Sequence, residues 1–253
     1  MTAPREFRTV GVDLAAQDKK TGLAVLHWRP GSVVLEHVQV HTGNRDILSR
    51  SEGAEVVGID CPLGWPAPFT DLLLAQRSGV VDPGVGDSIE TRRSLAFRRT
   101  DFDVHTRTGR WPLSVSADLI GYPAMRAAGL LAALAETGKV LRRSGIDSAV
   151  AEVYPAASLS LWGLTSRGYK ADPVLRSALI SQLLAAAPWL DLSAGLALCR
   201  WSDDAFDAVV AALVAGAVLV GRTSAPPEAD VVVADEEGWI RLPDEDFLID
   251  PWA

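Results

Sequence analysis

Six carboxylates stand where the sequence is otherwise apolar. Asp13 closes VGVDLAA, Asp60 closes VVGIDCP, Glu152 lies inside VAEVYPA, and Asp203, Asp204 and Asp207 open WSDDAFDAVVAAL. A carboxylate in an apolar strand costs roughly several kcal/mol unless a cation or an opposite charge compensates it. In open α/β sheets, groups at the carboxyl ends of neighbouring parallel strands converge on one crevice. Asp13, Asp60 and Glu152 are therefore expected to meet at one edge, with Asp204 and Asp207, three residues apart, on one helix face above them. Such a set suits a hard divalent ion. Mg²⁺ or Mn²⁺ takes oxygen ligands and leaves positions for water and phosphate oxygens, and two ions about 4 Å apart support in-line phosphodiester displacement. The competing readings are local: Asp203 and Asp204 as helix cap and dipole partners, and Asp60 as a turn former before Cys61-Pro62.

The elements that must position these acids are legible in outline. Residues 7–14, 22–28 and 33–40 are rich in Val, Leu, Phe and Trp and are joined by short polar or Gly/Pro turns, which predicts three antiparallel strands. A helix precedes the apolar run 55–60, whose lack of alternation predicts a parallel strand buried on both faces. A second such run lies at 149–154. Helices are predicted at 124–137, at 173–187 with Asp172 as its cap and Pro173 at its first position, and at 203–221. The last of these is apolar on nearly all faces and so belongs in the core. The segment VVVADEEGWIRLP is read as a hairpin with Gly238 near its turn. Residues 64–121 are aperiodic and rich in Pro, Gly, Trp and Arg. They form the main part of an insertion or lid spanning 64–145 within a single domain of residues 1–253. The fold class is thus α/β, with a mixed sheet flanked by helices.

A chain of 253 residues with 48% hydrophobic and 22% charged residues can bury a sizeable core, which excludes a disordered tail or a disulfide scaffold. The net charge of −8 excludes nucleic-acid binding by bulk attraction. Cys61 and Cys199 form no CxxC arrangement and are read as buried thiols. The opening MTAPREFRTVGVDL carries no apolar signal core, and the longest charge-free apolar run, 208–221, is shorter than the roughly 18–20 residues of a spanning helix. A cytoplasmic protein is expected. Its four lysines, Lys19, Lys20, Lys139 and Lys170, look like the coding bias of a GC-rich genome.

Several short pieces together resemble the DUF429 family, described as predicted nucleases with an RNase H-like fold. They are GVDLA at 11–15 with TGLAV at 21–25, IDCPLGWP at 59–66, RRTD at 98–101, AEVYPA at 151–156, YK at 169–170 with Arg176 beyond, DDAFDAVVAAL at 203–213 and EGWIRLP at 237–243. The resemblance implies a five-stranded sheet of order 3-2-1-4-5, with the large insertion before the fifth strand. Acids on the first strand, the fourth strand and a late helix map onto Asp13, Asp60 and Asp207, with Glu152 or Asp204 as further ligands. One departure stands out: Thr100 replaces the cysteine of the family motif.

Between Thr91 and Arg110 the insertion gathers Arg92, Arg93, Arg98, Arg99, Arg107 and Arg110. Arginine forks bind phosphate in bidentate geometry, so Arg98, Arg99 and Lys170 are candidate phosphate contacts, against the alternative of ion pairs with the chain's own acids. His105 is a candidate for proton transfer or a surface histidine. The expected function is a Mg²⁺- or Mn²⁺-dependent phosphodiesterase or nuclease, with Asp13, Asp60 and Asp207 as ligands and Glu152 as ligand or base. Compatible partners are nucleic acid, a small phosphodiester and a second copy in a homodimer, without a membrane. Two alternatives are carried: a phosphotransferase or NTP hydrolase of actin-like architecture, against which the hairpin at 11–21 lacks a glycine-rich phosphate loop, and a non-catalytic binding protein on the same scaffold.

Overall fold

In a computed structural model, residues 6–252 are described; the opening MTAPR read above for a signal core and the last residue of the 1–253 domain lie outside them. The chain begins with β1 (Phe7–Asp13), β2 (Gly22–Arg29) and β3 (Ser32–Val40), paired antiparallel as the short turns predict. After α1 (Asn44–Ser51), β4 (Val56–Asp60) returns to lie parallel to β1, and β5 (Val150–Glu152) lies parallel to β4. The sheet order is β5-β4-β1-β2-β3-β6. The sheet has six strands where five were expected: β6 (Leu190–Asp191) adds a two-residue edge beside β3. The first four strands end at or near the expected residues because each is an apolar run closed by a charged or turn-forming residue.

The insertion 64–145, read as aperiodic over 64–121, is largely helical. It holds α2 (Ala67–Ser78), α3 (Ile89–Ala96), α4 (Arg99–Thr108) and α5 (Gly121–Glu136). The helices before α5 are short and bury no continuous apolar stripe, so they carry no clear period, whereas α5 answers the helix expected at 124–137. Beyond β5 come α6 (Pro155–Leu161), α7 (Pro173–Ala186), α8 (Leu196–Trp201), α9 (Asp203–Leu219) and α10 (Val231–Glu237). Asp172 caps α7 as expected, accepting from the amides of Val174 and Leu175. The cap of α9 is Ser202, which places Asp203 and Asp204 inside the first turn.

The expected C-terminal hairpin is not formed. Residues 231–237 are helix α10, ended by Gly238 at φ 87°. The strand-forming signal of three consecutive valines is overridden because α10 packs against α2 and α4. Past Gly238 the chain makes isolated bridges, Glu152 with Ile240 and Thr223 with Pro243.

Two cores cover the sheet. On one face Val10, Val12 and Ile59 pack with Ile47 of α1 and with Leu130 and Leu134 of α5. Full burial of each such leucine stabilises by roughly 1.5–3 kcal/mol. On the other face α9 lies against Ala24, Leu26 and Trp28 through Phe206, Val209 and Leu213. The approach of α9 is unusually close because the strands present glycine to it. A Cβ on Gly11 would fall 2.0 Å from the carbonyl oxygen of Ala208, and one on Gly58 2.5 Å from that of Ala211. Thr9 joins the contact, donating its hydroxyl to the Ala212 carbonyl at 2.8 Å and accepting from the Trp28 indole at 2.9 Å.

Gly11→Ala is therefore expected to destabilise by at least about 3 kcal/mol, because the clash is with helix backbone that cannot rotate away. Gly129→Ala, on the exposed face of α5 with nothing within 4 Å, should instead stabilise by roughly 0.5–1 kcal/mol. Urea unfolding midpoints of the two variants check both signs.

Candidate functional site

Asp13 and Asp60 end β1 and β4 and are register partners in the parallel ladder. Partners on strands about 4.8 Å apart project to the same face. That face is the one α9 covers, as the contacts of Gly11 and Gly58 show. Asp207, in the second turn of α9, is fully buried on the same side. The three aspartates feel one another. Burial raises the Asp13 carboxyl well above the usual range, with Asp207 and Asp60 adding to the rise. Asp60 is pushed up to about 7, mainly by burial; Lys170 opposes the shift, and Asp207 and Glu152 reinforce it. Among the described residues, no group of the protein donates a hydrogen bond to the carboxylate of Asp13 or Asp60, and both line a cavity of about 450 Å³.

Asp207 is satisfied from within. Its Oδ1 accepts from the Tyr169 hydroxyl at 2.5 Å, and its Oδ2 faces Lys170 Nζ at 2.6 Å and is otherwise without a donor. Burial raises Asp207, while Lys170 and the Tyr169 hydroxyl hold it down. Burial alone would lower Lys170, but Asp207, Asp60 and Asp13 outweigh it and keep the ammonium charged. Arg176 of α7 fixes this turn, donating to the carbonyls of Tyr169 at 2.7 Å and Lys170 at 3.1 Å and to that of Trp201 at 2.7 Å. One ammonium thus balances one carboxylate of the three.

Glu152 lines the same cavity and raises Asp60, but it approaches from a different side. Its register partner is Ile59, one residue short of Asp60, so its side chain leaves the opposite face of the sheet. There both its oxygens meet Arg98, at 2.7 and 2.8 Å, and Oε2 also accepts from the Leu63 amide at 3.0 Å. Arg98 is 1% exposed, and its five N–H groups go to Glu152, Asp101 and the Glu237 carbonyl. Arg98, expected as a phosphate contact, lines the cavity with all of its N–H groups engaged by the protein. Burial raises Glu152, and Arg98 opposes the shift. Sequence reasoning missed Glu237, buried at 3%, which accepts from the first amides of α2 (Ala67, 2.8 Å) and of α4 (Arg99, 2.7 Å). Reading 231–243 as a hairpin hid it.

Asp204 is half-buried and lines the cavity; burial and Asp203 raise its carboxyl. Arg99 is 61% exposed, pairs with Asp230 at 3.2 Å and is not among the residues lining the cavity. Arg107 pairs with Asp103, and His105 stacks on Trp111 at 4.2 Å, also outside the lining. Thr100 shows what the replaced cysteine position does here: it is buried and accepts from the Ile240 amide at 2.8 Å. Both cysteines are buried free thiols, and burial raises Cys199 to about 12. Among the described residues, no three His, Cys, Asp or Glu side chains are grouped as a metal shell. None of their helices is long and apolar enough to cross a membrane.

Residues 11–231 match the family described as protein of unknown function (DUF429), a stretch that takes in Asp13, Asp60, Glu152, Lys170 and Asp207. The chain belongs to the DUF429 family. The match ends before 237–243, the last piece of the resemblance, where the structure has the end of α10 and Gly238. No curated protein and no solved structure matches this DUF429 chain.

Two stability outcomes follow for it. The folded pKa of Asp60 lies above the unfolded value, so its protonated form stabilises the fold below about pH 4, and that gain is lost as pH rises toward about 7. In metal-free protein Asp60→Asn should stabilise by roughly 1–3 kcal/mol at pH 8 and by little at pH 4, measured by urea unfolding. Arg98→Met, which strands Glu152 and Asp101 without their cation, should cost about 3–5 kcal/mol at pH 7.

Proposed function

We propose that this DUF429 chain is a divalent-metal-dependent phosphoester hydrolase of RNase H-like type, with Mg²⁺ or Mn²⁺ held by Asp13 and Asp60. The observation that carries the reading is that these two carboxylates, partners at adjacent strand ends, face a cavity without a protein donor, while burial and neighbouring acids raise both. Groups perturbed in this way and facing a cleft mark functional sites. The strand order from β3 to β5 and the placing of Asp207 on α9 support the RNase H-like assignment.

The donor set fits the ion. Mg²⁺ is commonly held by one or two carboxylates, with water and phosphate oxygens completing its shell, so a pair suffices where a closed cage of protein ligands does not form. Asp204, lining the same cavity, is a further oxygen donor. Bound there, the cation would supply Lewis-acid polarisation of a phosphoryl oxygen. The chain's own residues do the rest. Lys170 offers an ammonium to the substrate phosphate from its place on Asp207, Tyr169 and Arg176 fix that lysine's turn, and Glu152, committed to Arg98, acts as a positioning residue for the insertion.

A second reading, a non-catalytic binding protein, draws on the fact that two of the four candidate acids, Asp207 and Glu152, are already in internal ion pairs. Titration calorimetry separates the two. Mg²⁺ or Mn²⁺ should bind with a Kd in the millimolar range or tighter, and Asp13→Asn and Asp60→Asn should each weaken it at least tenfold, while Glu152→Gln lowers stability and keeps the ion. At a hundredfold excess over Kd the ion should stabilise by about 2.7 kcal/mol, reversed by chelator. Absence of divalent binding at these concentrations removes the hydrolase reading.

A further inference from the structure

The cavity limits what can be hydrolysed. Resting on the metal-dependent reading, we infer that the substrate is a small phosphate ester carrying an apolar or aromatic group, and that a nucleic-acid strand or duplex is not the natural ligand.

Size is the first argument. About 450 Å³ lies within the roughly 300–1,000 Å³ of small-molecule sites. Polarity is the second. Besides the carboxylates, the lining includes an apolar wall of Pro112, Leu113 and Ile120 from the segment joining α4 to α5, together with Pro123 in the first turn of α5. Leu113 is 58% exposed although it borders a cavity. An apolar side chain held open there gains burial when an apolar group of a ligand covers it. The prolines restrict the backbone of this wall, so the apolar surface is in place before a ligand arrives.

Charge is the third argument. Among the described residues, the cations lining the cavity are Lys20, Arg98 and Lys170. Arg98 has every N–H committed to the protein, which leaves two lysines, enough for one phosphate group. A nucleic-acid strand is held by Lys and Arg along many phosphates. Of the six arginines of the island, Arg98 is turned inward to Glu152, and Arg99, Arg107 and Arg92 are paired with Asp230, Asp103 and the Gly86 carbonyl. With the chain at −8 overall, a polymer would meet net repulsion around a site that attracts a single phosphate. In the reaction, a water oxygen bonds to phosphorus, the ester P–O bond breaks, and the leaving oxygen takes a proton from that water, so an alcohol or phenol and a phosphate are released.

The test uses the full chain with Mg²⁺ and three probes by titration calorimetry: bis(4-nitrophenyl) phosphate, a 20-nucleotide single strand and the corresponding duplex. The aryl ester should bind, both oligonucleotides should bind at least tenfold more weakly, and Leu113→Asp should weaken the ester at least tenfold with Mg²⁺ affinity and melting temperature unchanged. An oligonucleotide that binds more tightly than the ester, or a Leu113→Asp variant that binds the ester normally, overturns the substrate class while leaving the metal reading intact. Should Mg²⁺ itself not bind, the metal reading fails. Ester binding in chelator that still depends on Leu113 would then sustain the substrate class, and its absence would overturn it.

Discussion

The close approach of α9 to β1 and β4 governs where every acid of the site can lie. Glycine on the strands and alanine on the helix remove the side chains that would otherwise hold the two apart, so backbone nearly touches backbone at Gly11 and Gly58. Asp207 is carried by that helix to the face from which Asp13 and Asp60 emerge. A larger residue anywhere along the seam would lift the helix and separate the third carboxylate from the other two. The apolar contacts of α9 supply the stability that tolerates three acids so near one another, since their mutual repulsion opposes folding.

The sheet handles its buried acids differently on its two faces. On the insertion face, one guanidinium serves two carboxylates, Glu152 and Asp101, and bonds to both oxygens of each, so the group carries one negative charge with its oxygens satisfied. On the α9 face one lysine serves three aspartates. The first arrangement ties the insertion to the core. The second leaves unsatisfied negative charge directed at an open space, which is the condition in which a ligand cation gains most.

The acids on β1, β4 and α9 were legible because an acidic residue inside an apolar run is conspicuous and each run ends in a recognisable stop. The antiparallel pairing of the first three strands was legible through the short turns and the parallel character of the next through their lack of alternation, while the order of the strands came from the family resemblance. Three features were not. Whether Glu152 shares a face with Asp60 depends on a one-residue register between β4 and β5, which no spacing along the chain reveals. The inward turn of Arg98 depends on partners 54 and 139 residues away. Valines 231–233 favour a strand locally, and the helix is favoured instead by tertiary contacts, among them the bonds of Glu237 to the amides of Ala67 and Arg99.

Those bonds of Glu237 also order events in time. α2 and α4 begin near residues 67 and 99, yet the carboxylate that closes their first turns arrives about 140–170 residues later. On a ribosome the chain emerges from its N-terminus, so the hairpin of β1 and β2 can form early, while the first amides of α2 and α4 lack their Glu237 partner until α10 has been made. The wall that faces the acids is therefore among the last parts of the protein to settle, and its assembly is coupled to a segment that contributes no acid to the site.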